Sequence, residues 1–110
     1  MKKLLSILAL MPLAAHAGSA ELCVDMGTSA TQCDCATTSL NSNITLEDRN
    51  LYDTLSDTFL SLKGEEMPLA DAWESAFEST ATQNNMTGED LLLRMESVGQ
   101  KHVNAIDTCS

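Results

Sequence analysis

The segment TLEDRNLYDTLSDTFLSLKG, residues 45–64, decides the fold class of this chain. Its apolar residues recur at steps of four, four and three: Leu51, Leu55, Phe59 and Leu62. This spacing places them on one face of an α-helix. Thr45 is a favourable N-cap, and Asp48 at the third helical position can complete a capping box. Gly64 is a favourable residue for ending the helix. The segment therefore predicts an amphipathic helix whose apolar face is covered by other elements.

Two further helices are predicted towards the C-terminus. The first begins near Pro68, which suits the first helical turn, and its apolar stripe consists of Leu69, Trp73, Ala76, Phe77 and Thr80. The second is capped by Thr87, with Asp90 at the third helical position. Its stripe runs to the tail through Leu91, Met95, Val98, His102 and Ile106. Gly99 costs this helix about 1 kcal/mol relative to alanine, so we expect it to allow a neighbouring helix to approach closely, under Trp73.

The N-terminal part of the domain has a weaker pattern. Residues 18–43 are rich in Ser, Thr and Cys and have no long apolar period. One side of a short helix is suggested by Ala30, Cys33, Thr37 and Leu40. Alternating runs rich in Val, Ile and Thr, which are typical of strands, are missing from the sequence. We therefore predict an all-α fold: a small disulfide-stapled bundle of three main helices, with room for a short extra N-terminal helix.

The first seventeen residues, MKKLLSILALMPLAAHA, have the three parts of a secretory signal. A positive start precedes an apolar run over 4–13, and Ala15-His16-Ala17 supplies the small residues that signal peptidase requires. The run is shorter than the roughly 20 residues that span a bilayer. We therefore predict cleavage after Ala17, bacterial export, and a single helical domain over 18–110 in the periplasm or outside the cell.

The four cysteines are Cys23, Cys33, Cys35 and Cys109. An even number of cysteines in an exported protein indicates two disulfides. A bond between Cys33 and Cys35 would close a small strained ring, and side chains two residues apart point in different directions. We therefore expect one of them to bond Cys23 and the other Cys109. The sequence leaves open which of them goes where.

The charge of the predicted mature domain is strongly negative. Loss of the two lysines of the signal leaves four basic residues against sixteen acidic ones, a net charge of −12. A field of this sign argues against nucleic acid or an anionic membrane as a partner and favours a cationic one: a basic protein, a polyamine or a metal ion. Of these, we take a cationic protein as the leading candidate. The candidate partner-binding acidic face consists of Glu65, Glu66, Asp71, Glu74 and Glu78.

The sequence offers no clear catalytic or cofactor site. His102 is the only histidine after the signal, and neither Ser97 nor Asp107 is marked by a motif as its catalytic partner. We interpret His102 as a core residue, and we expect neither enzymatic activity nor a cofactor. An alternative is a soft-metal or thiol-redox site at Cys33 and Cys35, with His102 as a further metal ligand.

Three functions are compatible with this sequence. The first is a non-enzymatic binding protein in the periplasm, acting on a cationic protein as inhibitor, immunity factor or accessory subunit. The second is the metal-binding or thiol-redox protein. The third is an acid-responsive periplasmic chaperone, in which protonation of the carboxylates loosens the bundle and exposes its apolar faces.

Overall fold

The computed structural model describes residues 18–110, which fold into five helices and no strand. The helices are α1 (Gly18–Asp25), α2 (Ala30–Asn41), α3 (Leu46–Gly64), α4 (Leu69–Gln83) and α5 (Gly88–Thr108). The all-α class with two disulfides is confirmed. The expected number of helices was too small, because residues 18–43 form two helices rather than one short one. The predicted signal, residues 1–17, lies outside the described residues.

The helix starts follow the local capping chemistry that the sequence predicts. Thr45 accepts a hydrogen bond from the backbone N–H of Asp48 at 3.1 Å, and Thr87 accepts one from Asp90 at the same distance. Each threonine satisfies one of the N–H groups that have no partner in the first helical turn. Pro68 precedes α4 and has no side-chain cap. The three long helices therefore begin where the sequence indicates.

The helix ends also follow the expectation in part. Gly64 is the last residue of α3, as the sequence indicates, and Glu66 two positions later takes the left-handed conformation with φ 65°. Asn85 takes the same left-handed conformation after α4, with φ 55°. Non-glycine residues are uncommon in this region of backbone space. Asparagine adopts this conformation more readily than most residues, so local preference suits Asn85. Glutamate has no such preference, and the turn between α3 and α4 places Glu66 there.

Helix α3 is the centre of the bundle and packs on α1, α4 and α5, while α5 also packs on α2. The core contains leucines from α1, α2, α3 and α5, together with an aromatic ring, a methionine and a valine: Leu22, Leu40, Leu51, Leu55, Leu91, Phe59, Met95 and Val98. The start of α1 lies very close to α3, because a Cβ at Gly18 would lie 2.6 Å from the carbonyl oxygen of Asp53. Glycine is needed there for that close approach.

Two disulfides join the ends of the chain to the bundle. Cys23 bonds Cys33, which joins α1 to α2, and Cys35 bonds Cys109, which joins α2 to the end of α5. The bridge from α1 to α2 is buried, whereas Cys35 is exposed. Cys33 and Cys35 bond different partners, and the structure resolves the pairing that the sequence left open.

Candidate functional site

The predicted acidic face is solvent-exposed. Glu65 and Glu66 lie in the turn after α3. Asp71, Glu74 and Glu78 are three and four residues apart on α4, so they form one stripe on the outer side of that helix. None of the five forms an ion pair within residues 18–110. Their charges are therefore available to a partner in solvent.

An apolar groove lies beside this acidic stripe, and its floor belongs to α3. The groove has a volume of about 370 Å³, and Tyr52 and Leu55 form its floor. Trp73 and Phe77 of α4 form one wall. The Trp73 ring is held by stacking on Phe59, with ring centroids 3.7 Å apart and planes 11° from parallel. One wall of the groove is therefore a fixed aromatic surface.

Helix α5 forms the opposite wall, and the end of α1 closes the groove. Leu92, Glu96, Gly99 and Val103 line this wall at steps of four, three and four residues, so they follow one face of α5. Met26, just after α1, lies at one end and is 73% exposed. We call this space the α4–α5 groove, because these two helices form its walls.

The groove results from small residues on α4 and α5. Ala72 and Ala76 let α4 pack closely on its neighbours and are fully buried, so the bulky Trp73 and Phe77 are turned to one side. Gly99 leaves the α5 wall without a side chain, and a Cβ at this position would have no atom within 4 Å. The expected close helix contact at Gly99 was therefore wrong: this glycine faces the open groove.

Carboxylates follow both edges of the groove. On α5, Glu89, Glu96 and Asp107 are seven and eleven residues apart and so lie on the same side of the helix. On α4, Glu74 and Glu78 each follow a groove residue by one position and are exposed. The groove is thus an apolar surface between two acidic edges.

The basic residues of the domain are placed elsewhere. Arg94 of α5 binds Glu47 and Asp48 at the start of α3, and Lys63 binds Asp25 at the end of α1. The ammonium group of Lys101 lies 3.4 Å from the backbone carbonyl of Asn43. No lysine or arginine within residues 18–110 lines the groove. Its edges therefore keep an uncompensated negative charge.

A buried polar pair lies beneath the groove. The Tyr52 hydroxyl and Nδ1 of His102 share a hydrogen bond of 2.6 Å, and the two rings meet edge to face. Burial raises the pKa of Tyr52 to about 12, and the nearby Asp53 carboxylate adds to this. Tyr52 therefore keeps its proton at neutral pH.

His102 is a buried residue with one unsatisfied nitrogen. It is 4% exposed, and its Nε2 has no hydrogen-bond partner among the described residues. Burial lowers the pKa of His102, and the Asp53 carboxylate acts weakly in the opposite direction. Neither Ser97 nor Asp107 is hydrogen-bonded to the ring within residues 18–110. The structure therefore shows His102 as a core residue joined to Tyr52, without the nucleophile and orienting carboxylate of a catalytic triad.

The Asp53 and Asp57 pair has a structural role at the α1–α3 contact. A carboxylate oxygen of Asp53 accepts the backbone N–H of Ser19 at 3.0 Å, which caps the first turn of α1. Burial raises the pKa of Asp57 to about 6, with contributions from Glu21 and Asp53. Asp57 therefore carries its charge at neutral pH at a cost in stability.

All four cysteine sulfurs are in disulfides. No group of three or more His, Cys, Asp or Glu side chains that could hold a metal ion occurs within residues 18–110. Cys33 and Cys35 would become metal ligands or a dithiol only after reduction of both bridges, because each bonds a different partner. The metal alternative at Cys33, Cys35 and His102 therefore requires a chain in another redox state.

Comparisons with known proteins add no family to these observations. No family model matches the chain, and neither a curated protein nor a solved structure gives a significant match. In the part of the chain that the structure describes, no helix has the length and apolar character needed to cross a membrane.

The sequence alone indicated the acidic stripe but missed the groove. The sequence does contain one indication of the groove, the pair Leu92 and Val103 beside the predicted buried stripe of α5. Both side chains are about half exposed, at 46% and 52%. Their position on either side of Gly99 along one face marks a second apolar surface on this helix. Finding a groove there also required knowing which helix lies opposite.

Proposed function

We propose that this chain is exported and acts in the periplasm as a non-enzymatic protein that binds a cationic protein partner. The observation that carries the proposal is the number of free carboxylates. Only three of the sixteen acidic residues, Asp25, Glu47 and Asp48, form ion pairs within residues 18–110. An unpaired acidic surface attracts a basic partner over a distance of about 10 Å and accelerates its encounter.

The disulfides and the groove support the same proposal. Two disulfides are compatible with an oxidising compartment such as the periplasm or the extracellular space. A partner that contacts the acidic stripe of α4 also lies next to the exposed apolar groove. Charge then brings the partner to the surface, and apolar contact holds it there.

Charge reversal on α4 tests this function. The protein is recovered from the periplasm and used to retain periplasmic proteins of the source bacterium at about 0.05 M and about 0.3 M salt. We expect a basic protein that is retained at low salt and largely lost at high salt. Glu78→Lys should weaken its retention, whereas Asp34→Lys, an equal change on the exposed side of α2, should have much less effect. Retention of the same partner by Glu78→Lys with unchanged salt dependence would contradict the proposal.

An acid-responsive chaperone is the second candidate, and the buried Tyr52–His102 pair is the observation that favours it. Protonation of His102 would place a charge in the core, so acid should loosen the contact between α3 and α5. Binding of an apolar dye should then rise as the pH falls towards about 3. A flat dye signal over this range would exclude the chaperone function.

A further inference from the structure

We propose that the α4–α5 groove is the docking site for an amphipathic helix of the cationic partner, a claim that rests on the binding function proposed above. The helix would place its apolar face in the groove and its lysines or arginines against the two acidic edges.

The first argument is the concentration of exposed apolar side chains. Seven large hydrophobic residues are markedly exposed within residues 18–110, and three of them line this one groove: Met26, Leu92 and Val103. Single exposed apolar residues are normal on a protein surface, whereas a contiguous patch marks a binding site. The exposed Met26 also supplies a flexible side chain, which adapts to the shape of a bound apolar surface.

The second argument is shape. Leu92 and Val103 are eleven residues apart on one face of α5, so this wall extends for roughly 16 Å, or three helical turns. An elongated apolar channel between two helices accepts a third helix through anchors spaced three and four residues apart. A partner helix of about three turns would contact the full length of the wall.

The third argument is charge, which determines the kind of partner that can bind in the groove. Glu96 is the one carboxylate among the residues that line the groove, and Glu89 and Asp107 lie on the same side of α5. On α4, Glu74 and Glu78 lie about 100° around the helix from Trp73 and Phe77, on the side away from the core. A second copy of this chain would bring the same carboxylates against them, and like charges across an interface cost affinity. An anionic lipid surface is repelled for the same reason. A helix with basic flanks matches both the apolar floor and the acidic edges.

Two synthetic peptides test the docking site. Both contain only leucine and lysine in equal proportion over about 18 residues, a length at which an isolated helix begins to be stable. One has the leucines on a single helical face, and the other has the same composition in scrambled order. Binding to the full periplasmic protein is measured by anisotropy of a labelled peptide. The emission of Trp73, the single tryptophan, reports whether the peptide enters the groove.

We expect the amphipathic peptide to bind at least tenfold more tightly than the scrambled one and to shift the Trp73 emission. Gly99→Leu should weaken its binding at least tenfold, because the new side chain enters the groove where no atom lies within 4 Å of the Cβ position. Ser97→Leu places the same side chain on an exposed position of α5 away from the groove and should leave binding unchanged. Thermal melts of both variants verify that they are folded.

The outcomes separate docking from the more general function. In one outcome both peptides bind equally, and this binding is lost on Glu78→Lys but unaffected by Gly99→Leu. That result would overturn the docking site and leave the cationic-partner function standing. Failure of both peptides to bind at low salt would count against both proposals. Tight binding of the amphipathic peptide that is insensitive to Gly99→Leu would place its site elsewhere and also overturn the docking proposal.

Discussion

Removal of the Cys35–Cys109 disulfide should destabilise the protein more than any other change that leaves the core intact. The two cysteines are 74 residues apart, so the bridge closes most of the domain into one ring. The chain-entropy relation gives about 4.5 kcal/mol for a ring of this length, against about 2.8 kcal/mol for the ten-residue separation of Cys23 and Cys33. Cys35 is exposed and Cys109 half-buried, so replacing both by serine opens no cavity in the core.

Urea unfolding of the double variant Cys35→Ser, Cys109→Ser measures this cost. We expect a loss of about 4 kcal/mol and a rise in the urea m-value, because an unfolded chain without the long cross-link exposes more surface. In a domain of this size the melting temperature should fall by roughly 20 °C.

The double variant Cys23→Ala, Cys33→Ala is the matched control. Its m-value should hardly change, because the short ring restricts the unfolded chain little. Its stability should still fall, because both sulfurs are buried and their loss adds a packing cost to the entropy term. A loss below about 1 kcal/mol for the long bridge, or an m-value that stays at the wild-type level, would refute the reasoning from ring length.

Three further substitutions have outcomes that the structure determines. Tyr52→Phe removes the only hydrogen bond to the His102 ring within residues 18–110 and should cost about 1–3 kcal/mol of the free energy of unfolding, measured in urea. Burial lowers the pKa of His102, so the stability that the neutral ring gives the wild-type protein should be present above pH 6.5 and decline as the pH falls below it. Asp57→Asn should raise stability at pH 7–8 by about 1 kcal/mol after solvent screening. This gain should decline as the pH falls through the folded-state pKa of about 6 and vanish below about pH 4, where Asp57 is protonated in the unfolded chain as well. A variant that is less stable at pH 7 would contradict this. Gly99→Ala should raise the melting temperature through a gain of up to about 1 kcal/mol in α5, because the added methyl group meets no atom within 4 Å.

At the proposed binding surface, charge and apolar contact have different roles. The carboxylates of α4 follow Trp73 and Phe77 by one residue, so they lie about 100° around the helix from the aromatic wall of the groove. Reversing Glu78 should mainly slow association and change its salt dependence, whereas filling the groove at Gly99 should mainly speed dissociation. Association kinetics with the amphipathic peptide would therefore separate the two contributions.

Local chemistry accounts for the long helices. Thr45 and Thr87 begin α3 and α5 through contacts within a single turn, and the apolar period over each segment determines which face is buried. These features depend on residues three or four apart, so they can be predicted from the sequence. The end of α3 at Gly64 follows a local signal as well, whereas the left-handed conformation of Glu66 is imposed by the turn to the next helix.

Of the two N-terminal helices, the sequence indicated α2 weakly, and the structure adds α1. Helices of eight and twelve residues are marginal in water by themselves. Packing on α3 and α5 and the buried bridge between Cys23 and Cys33 stabilise them here. Their apolar period is weak, so contacts with residues that are distant in the sequence supply most of their stability.

The sequence by itself determined the all-α class, the starts of the long helices, the separate partners of Cys33 and Cys35, and the exposed acidic stripe of α4. Each of these depends on near neighbours or on composition. Only the tertiary structure decided the disulfide pairing, the contact between Tyr52 and His102 across fifty residues, and the groove beside Gly99. A groove belongs to the space between two helices, and its shape follows from how α4 and α5 pack on α3, which no local pattern of residues specifies.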